Sequence, residues 1–206
     1  MTGRIKRMNA DNFSRPRQNG IRAMILPDND ELSDVCLSDG SSNIFIATKA
    51  GKALRFNETD IRHMGRAAMG IRGIKLNSGD AVVNFISANP HDLVVSVTER
   101  GFGKATEIEK YRLQKRGGKG VLNLKVKEKS GHVVKALKAS PGENIILISS
   151  KGLSLEFPVS SIRVTGRSAT GVKVMRLDEG AKVVDAQTAI AQNGANGSQE
   201  ATPKAE

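Results

Sequence analysis

The residues best suited to chemistry occupy positions 114–120, which read QKRGGKG: Gln114, Lys115, Arg116, Gly117, Gly118, Lys119 and Gly120. Three cations and three glycines share seven positions, with no acid among them. Glycine permits positive φ and close backbone approach. Successive backbone N–H groups in such a turn form a nest for an anion, and Lys115, Arg116 and Lys119 would add charge at its rim. The chemistry on offer is phosphate binding, although a solvated surface turn has the same composition. Other motifs offer less. The GGKG at Gly117 is no nucleotide loop, because Val121 rather than Ser or Thr follows its last glycine. Gly101-Phe102-Gly103 is half a dinucleotide fingerprint that opens no helix and reads as a hairpin turn. His63, His91 and His132 lack metal-ligand spacing. Asp34, Asp80 and Asp185 have no evident acid–base partner, and Cys36 reads as a buried small hydrophobe. No catalytic constellation and no metal site emerges.

The elements that must position the heptad form a repeat. Gly20, Gly70, Gly120 and Gly171 each open a similar segment: IRAMIL, IRGIKL, VLNLKV and VKVMRL, at spacings of 50, 50 and 51 residues. The first, fourth and sixth residues after each glycine are apolar. A second series, Gly3, Gly51, Gly101 and Gly152, runs in step, and the apolar runs IFIAT, LVVSVT and IILIS precede its last three members. Such periods mark solenoids, propellers or arrays.

The 206 residues can bury a sizeable core. The formal charge is +11; the residues after Asp185 hold Lys204, Glu200 and Glu206, so the remainder carries +12. A balance this positive predicts affinity for nucleic acid or an anionic membrane surface. No apolar run approaches the length that spans a membrane, and the first residues lack a signal peptide's apolar core.

Short β-branched runs bounded by turn residues predict strands at 21–26, 44–48, 53–56, 71–76, 82–86, 93–98, 121–126, 133–137, 145–149, 153–157, 172–177 and 183–186. Helical periodicity is nearly absent, with a turn or two at most over 106–113. The expected architecture is all-β and propeller-like, about four strands per 50 residues. Residues 1–186 form the repeat domain: a partial blade at 1–43 and full units at about 44–92, 93–144 and 145–186. Nothing corresponding to the apolar strand of later units precedes Thr2, so the chain reads as a portion of a longer protein. Residues 187–206, rich in Gln, Asn, Gly, Ala and Ser, read as a disordered tail.

Trp is absent, which excludes WD and kelch signatures. The stretches TKAGKALRFNETDIRHMGRAAMGIRGIKL, TERGFGKATEIEKYRLQKRGGKG and SSKGLSLEFPVSSIRVTGRSATGV resemble instead the DNA gyrase A C-terminal domain, and the resemblance runs from Thr2 to Ala186. QKRGGKG is similar to that family's box, QRRGGKG, with Lys115 in place of the first arginine. The resemblance implies a β-pinwheel, a disc whose neighbouring blades exchange strands and whose basic rim bends double-stranded DNA. It implies a non-catalytic part of a type II topoisomerase that needs no cofactor of its own. ATP, Mg and the strand-cleaving tyrosine would belong to the gyrase A N-terminal region and to the gyrase B protein. Tyr111, the only tyrosine, would pack at a blade edge. A cytoplasmic, nucleoid-associated setting with no membrane contact follows from the same resemblance. The family domain has about six blades with the box in the first, so this chain corresponds to about the last four, and its heptad is either the box or that box's counterpart in a later blade.

Basic residues recur in the repeat frame. Four positions before the repeat glycines stand Pro16, Arg66, Arg116 and Arg167; two after them stand Arg22, Arg72, Leu122 and Lys173. Blades related by rotation would set Arg22, Arg66, Arg72, Arg167 and Lys173 around one rim with the heptad, as following a curved duplex requires. Phosphate contacts position DNA without reading its sequence. The expected function is DNA wrapping in support of ATP-dependent negative supercoiling. The corresponding domain of topoisomerase IV and a protein-interaction scaffold are the alternatives.

Overall fold

The computed structural model describes residues 2–190. It is all-β, with only short 3-10 turns (Ala10–Phe13, Glu58–Asp60, Ile108–Lys110, Val159–Ser161) besides its strands. Among the described residues no helix is long and apolar enough to cross a membrane. The strands are β1 (Arg4–Ile5), β2 (Asn43–Thr48), β3 (Lys52–Asn57), β4 (Ile71–Arg72), β5 (Val82–Ala88), β6 (Leu93–Thr98), β7 (Phe102–Glu107), β8 (Val121–Leu122), β9 (Val133–Ala139), β10 (Glu143–Ser149), β11 (Ser154–Pro158), β12 (Val172–Lys173) and β13 (Val183–Ile190).

Strand order shows the exchange. The sheets run β5-β2-β3-β8, β12-β7-β6-β9, β11-β10-β13 and β1-β4, with every pairing antiparallel. Each of β4, β8 and β12 belongs to one unit and closes the outer edge of the unit before it. The inner strands β5, β9 and β13 face one another across neighbouring blades. There the Asn84 side chain bonds both backbone groups of Ala136, at 2.7 and 2.9 Å, and Lys135 pairs with Asp185 at 3.2 Å.

Close backbone approach explains the two glycine series. The carbonyls of Gly3, Gly51 and Gly101 each accept two N–H groups, from Gly73 and Ile74, Asn123 and Leu124, and Val174 and Met175. A β-carbon on Gly51 or Gly101 would sit 2.2 Å from Leu124 O or 2.3 Å from Met175 O. This crossing limits each exchanged segment to two ladder residues. The strands expected over 71–76, 121–126 and 172–177 therefore stop at Arg72, Leu122 and Lys173. Beyond them Ile74, Leu124 and Met175 turn into the core.

Three further differences share one cause, the lack of a pairing partner. Residues 21–26, expected as a strand, pair with nothing in the sheets described. Residues 31–38, in frame with β5, form no strand either, and Cys36, expected to be buried, is exposed. β13, by contrast, is partnered by β10 as far as Ile190 opposite Glu143. It thus continues past the domain boundary expected at 186, and of the expected tail residues 191–206 lie outside the described residues.

Candidate nucleic-acid interface

The outer edge of a blade is closed at two points, and this geometry builds the basic loops. On β3, Gln114 N donates to Arg55 O at 2.9 Å, and two residues away Ala53 pairs with Val121. The seven residues from Gln114 to Gly120 must leave and return within that short span, so they form an excursion from the blade's outer edge. The pattern repeats. Met64 N donates to Arg7 O and Ile71 pairs with Ile5, so residues 64–70 form the loop on β1. Thr165 N donates to Ala105 O and Val172 pairs with Gly103, so residues 165–171 form the loop on β7. Gly70, Gly120 and Gly171 end these loops at positive φ. Their missing β-carbons would lie 2.7 Å from Ile5 O, 2.4 Å from Ala53 O and 2.4 Å from Gly103 O.

Within the heptad, charge divides between fold and solvent. Arg116 is half-buried. Its Nε donates to Asp60 O at 2.9 Å and its Nη1 to Arg72 O at 3.1 Å. Gly117 N donates to Gly73 O, and Gly118 O accepts from Lys75 N. Arg116, Gly117 and Gly118 therefore latch this loop to the 3-10 turn and the exchanged segment of the preceding unit, a part that sequence reasoning did not give them. Gln114 is half-buried too. Lys115 and Lys119 are exposed.

The other expected residues fall at corresponding places. Arg66 and Arg72 are exposed, Arg66 in its loop and Arg72 on β4 opposite Arg4. Lys173 is exposed on β12, its ammonium 5.3 Å from the centre of the Phe102 ring, with Lys129 5.8 Å from the same ring. Arg167 is half-buried. Arg22 is exposed, in a segment that pairs with no strand among the described residues. Tyr111 is not at an edge: it is fully buried, edge-on to Phe45 at 4.8 Å, and its hydroxyl donates to Asn123 Oδ1 at 2.6 Å. Burial pushes its pKa up, so it stays a neutral packing group.

Two lysines support the loops from beneath. Lys104 Nζ donates to Thr106 Oγ1 (3.0 Å), Gly166 O (3.0 Å) and Arg167 O (3.1 Å). Burial, with Arg167 nearby, pushes its pKa down to about 8. Lys6, its counterpart, donates to the carbonyls of Ala23, Arg66 and Ala68.

Sequence reasoning missed two exposed cation series that the repeat frame contains. Arg62, Arg112 and Arg163 each stand eight residues before a repeat glycine. Lys75, Lys125 and Arg176 each stand five after one. All six side chains are exposed. The residues after the first series, His63, Leu113 and Val164, bridge to Arg7, Arg55 and Ala105 on the blade edges, which puts the arginines at the outer edge as well. Counting offsets from the glycines was the signal that finds them.

Comparison with known proteins agrees with this frame. The family model described as DNA gyrase C-terminal domain, beta-propeller, matches residues 1–35, 42–89, 92–140 and 143–189, one segment per unit. The chain is 40% identical over 189 residues to the DNA gyrase A protein of Haloquadratum walsbyi, covering 91% of this chain and 22% of that protein. It is 39% identical over 186 residues to the DNA gyrase A protein of Salmonella typhimurium, covering 90% and 21%. It thus spans about a fifth of the length of these relatives. Among solved structures, the DNA gyrase A C-terminal domain superposes with a TM-score of 0.83 at 28% identity, covering 91% of this chain and 62% of that one. The C-terminal domain of DNA topoisomerase IV superposes with a TM-score of 0.87 at 25% identity, covering 92% and 60%.

Proposed function

The chain belongs to the DNA gyrase C-terminal domain family, and from that premise we propose that it binds double-stranded DNA along its blade edges and wraps it, in support of ATP-dependent negative supercoiling by a complete type II topoisomerase. The observation that carries this reading is the repetition of one basic loop on three successive outer edges, at residues 64–70, 114–120 and 165–171. Exposed cations accompany each loop in register: Arg62, Arg66, Arg72 and Lys75; Arg112, Lys115, Lys119 and Lys125; Arg163, Lys173 and Arg176. Spaced along a curved edge, such groups neutralise phosphates and hold a duplex bent. Site choice would follow deformability rather than base contacts.

On this reading the domain performs no bond-breaking step. The gyrase A N-terminal region and the gyrase B protein would be its partners and would supply strand cleavage, ATP turnover and Mg, in a cytoplasmic, nucleoid-associated setting. The topoisomerase IV domain, similar in shape, is the second reading; a complete enzyme carrying this chain would then decatenate but not supercoil. Titration of duplex DNA at several salt concentrations tests the binding step. Neutralising about six phosphates predicts log K falling against log[salt] with a slope near −5, nearly independent of sequence. A salt-insensitive affinity would favour the protein-interaction scaffold instead.

A further inference from the structure

The basic loops are held in two ways. The heptad loop is held sideways, by Arg116 on Asp60 O and Arg72 O and by Gly117 N on Gly73 O. For the 165–171 loop the corresponding acceptors belong to Lys110, Leu122 and Asn123 of the preceding unit, all of them in place. Neither the Arg167 guanidinium nor the Ser168 N–H takes them up. Lys104 stands where the heptad's blade has Leu54, and it holds this loop from beneath instead. It is 1% exposed, and its ammonium donates to Gly166 O and Arg167 O at 3.0 and 3.1 Å. Lys6 does the same for the 64–70 loop through Arg66 O and Ala68 O, and there too the arginine of the loop, Arg66, faces solvent. The peptide units follow. No peptide bond described is cis, so each C=O and its N–H point opposite ways. With Gly166 O and Arg167 O drawn inward to Lys104, the N–H groups of Arg167 and Ser168 point outward, and neither has an acceptor among the described residues.

We propose that Lys104 is a positioning residue for a phosphate site on the 165–171 loop, whose ligands are the Arg167 guanidinium and the outward N–H groups of Arg167 and Ser168. Charge supports the geometry. A buried cation is ordinarily paired with an anion, yet only two carbonyls and the Thr106 hydroxyl meet this ammonium. Neither Lys104 nor Arg167 belongs to an ion pair among the described residues, and the guanidinium lies close enough to help lower the ammonium's pKa. Two cations side by side without a carboxylate favour an anion from outside the fold. The duplex of the proposed function supplies one as a backbone phosphate, and the identity of the ligand rests on that reading. A phosphate bound at Arg167 favours the charged form of Lys104, so binding is coupled to protonation of the lysine beneath it. The other groups that face Lys104 add no step of their own near pH 8. A guanidinium does not titrate there, and Tyr111, which also meets Thr106, stays neutral because burial raises its pKa.

Duplex affinity of the parent, Arg167→Ala and Lys104→Leu, measured over salt concentration and over pH from about 7 to about 9.5, tests the proposal. Arg167→Ala should keep the parent's thermal transition and reduce the magnitude of the salt slope by about one unit, one lost phosphate contact. The parent's affinity should fall as pH rises through about 8, where the free chain loses the Lys104 proton. Lys104→Leu, which places the heptad blade's residue at this position, should bind more weakly at neutral pH and lose that dependence, a change that a merely structural lysine would not produce. Lys104→Met serves as the second variant should the leucine variant fail to fold. Titration with inorganic diphosphate at constant ionic strength, followed by NMR at the Arg167 and Ser168 amides, separates the site from the DNA reading. Saturating shifts in the parent that vanish in Arg167→Ala, in a chain that binds no duplex, would keep the site as one for free phosphate and remove only the DNA reading. A salt slope unchanged by Arg167→Ala, or a parent-to-variant difference at Lys104 that is flat in pH, with duplex binding intact, would overturn the proposal and leave the wider reading standing. Neither duplex binding nor diphosphate shifts would overturn both.

Discussion

Arg116 donates from Nη1 to the carbonyl of Arg72, 44 residues earlier, at 3.1 Å. With its second bond to Asp60 O, this side chain joins two units of the disc. Arg116→Ala should therefore lower stability by about 1–3 kcal/mol, two hydrogen bonds at the typical net value of about 0.5–1.5 kcal/mol each. Lys115→Ala and Lys119→Ala should stay within about 0.5 kcal/mol of the parent, as exposed substitutions do. Chemical denaturation of the three single variants checks the contrast.

Lys115 and Lys119 are the exposed cations of the heptad. Replacing both with alanine should leave the thermal transition unchanged and reduce the magnitude of the salt slope for duplex binding by up to about two units, one per lost phosphate contact. An unchanged slope would assign these lysines to solvent.

Gly120 and Gly180 both have positive φ, +70° and +74°, but only Gly120 abuts backbone. Gly180→Ala should cost about 1–2 kcal/mol, the strain of a β-carbon in the left-handed region. Gly120→Ala should cost clearly more, because its β-carbon would meet Ala53 O at 2.4 Å. Equal losses in thermal or chemical denaturation would mean that conformational strain, not blade contact, keeps this glycine.

The buried Lys104 makes stability depend on alkaline pH. Its pKa is about 8 against an ordinary 10.5, so between those values the unfolded chain binds more protons than the folded one. Stability from this group therefore rises with pH through that window, and at neutral pH the cost of burying the charge is present in full. The stability difference between parent and Lys104→Met, measured from about pH 7 to about pH 10.5, should shift in favour of the parent as pH rises. A flat difference would contradict a buried, pKa-shifted ammonium.

Much of this architecture could be read from two glycine series. Their spacing follows from the backbone crossings at Gly51, Gly101, Gly120 and Gly171, which only glycine allows. The central strands were legible because their apolar runs are buried on both faces. Less legible was where pairing stops. Residues 21–26 have the apolar pattern of a donated strand but pair with no edge among the described residues, and a ladder needs both members. Cys36 sits among Val35 and Leu37, apolar residues exposed for the same reason. At the loops, composition marks cations but does not reveal whether a guanidinium faces water or a carbonyl of the neighbouring unit. Arg116 and Lys104 are indistinguishable in sequence from Lys115.

If the chain holds DNA in a curved path of one hand, it must change the linking number of DNA relaxed around it. The most direct measurement relaxes a closed circular plasmid with a type I topoisomerase while the chain is bound, removes the protein and reads the linking number. Chiral wrapping predicts a shift from the protein-free control that grows with bound protein and shrinks when Lys115 and Lys119 are replaced. Saturating binding with the linking number unchanged would contradict it.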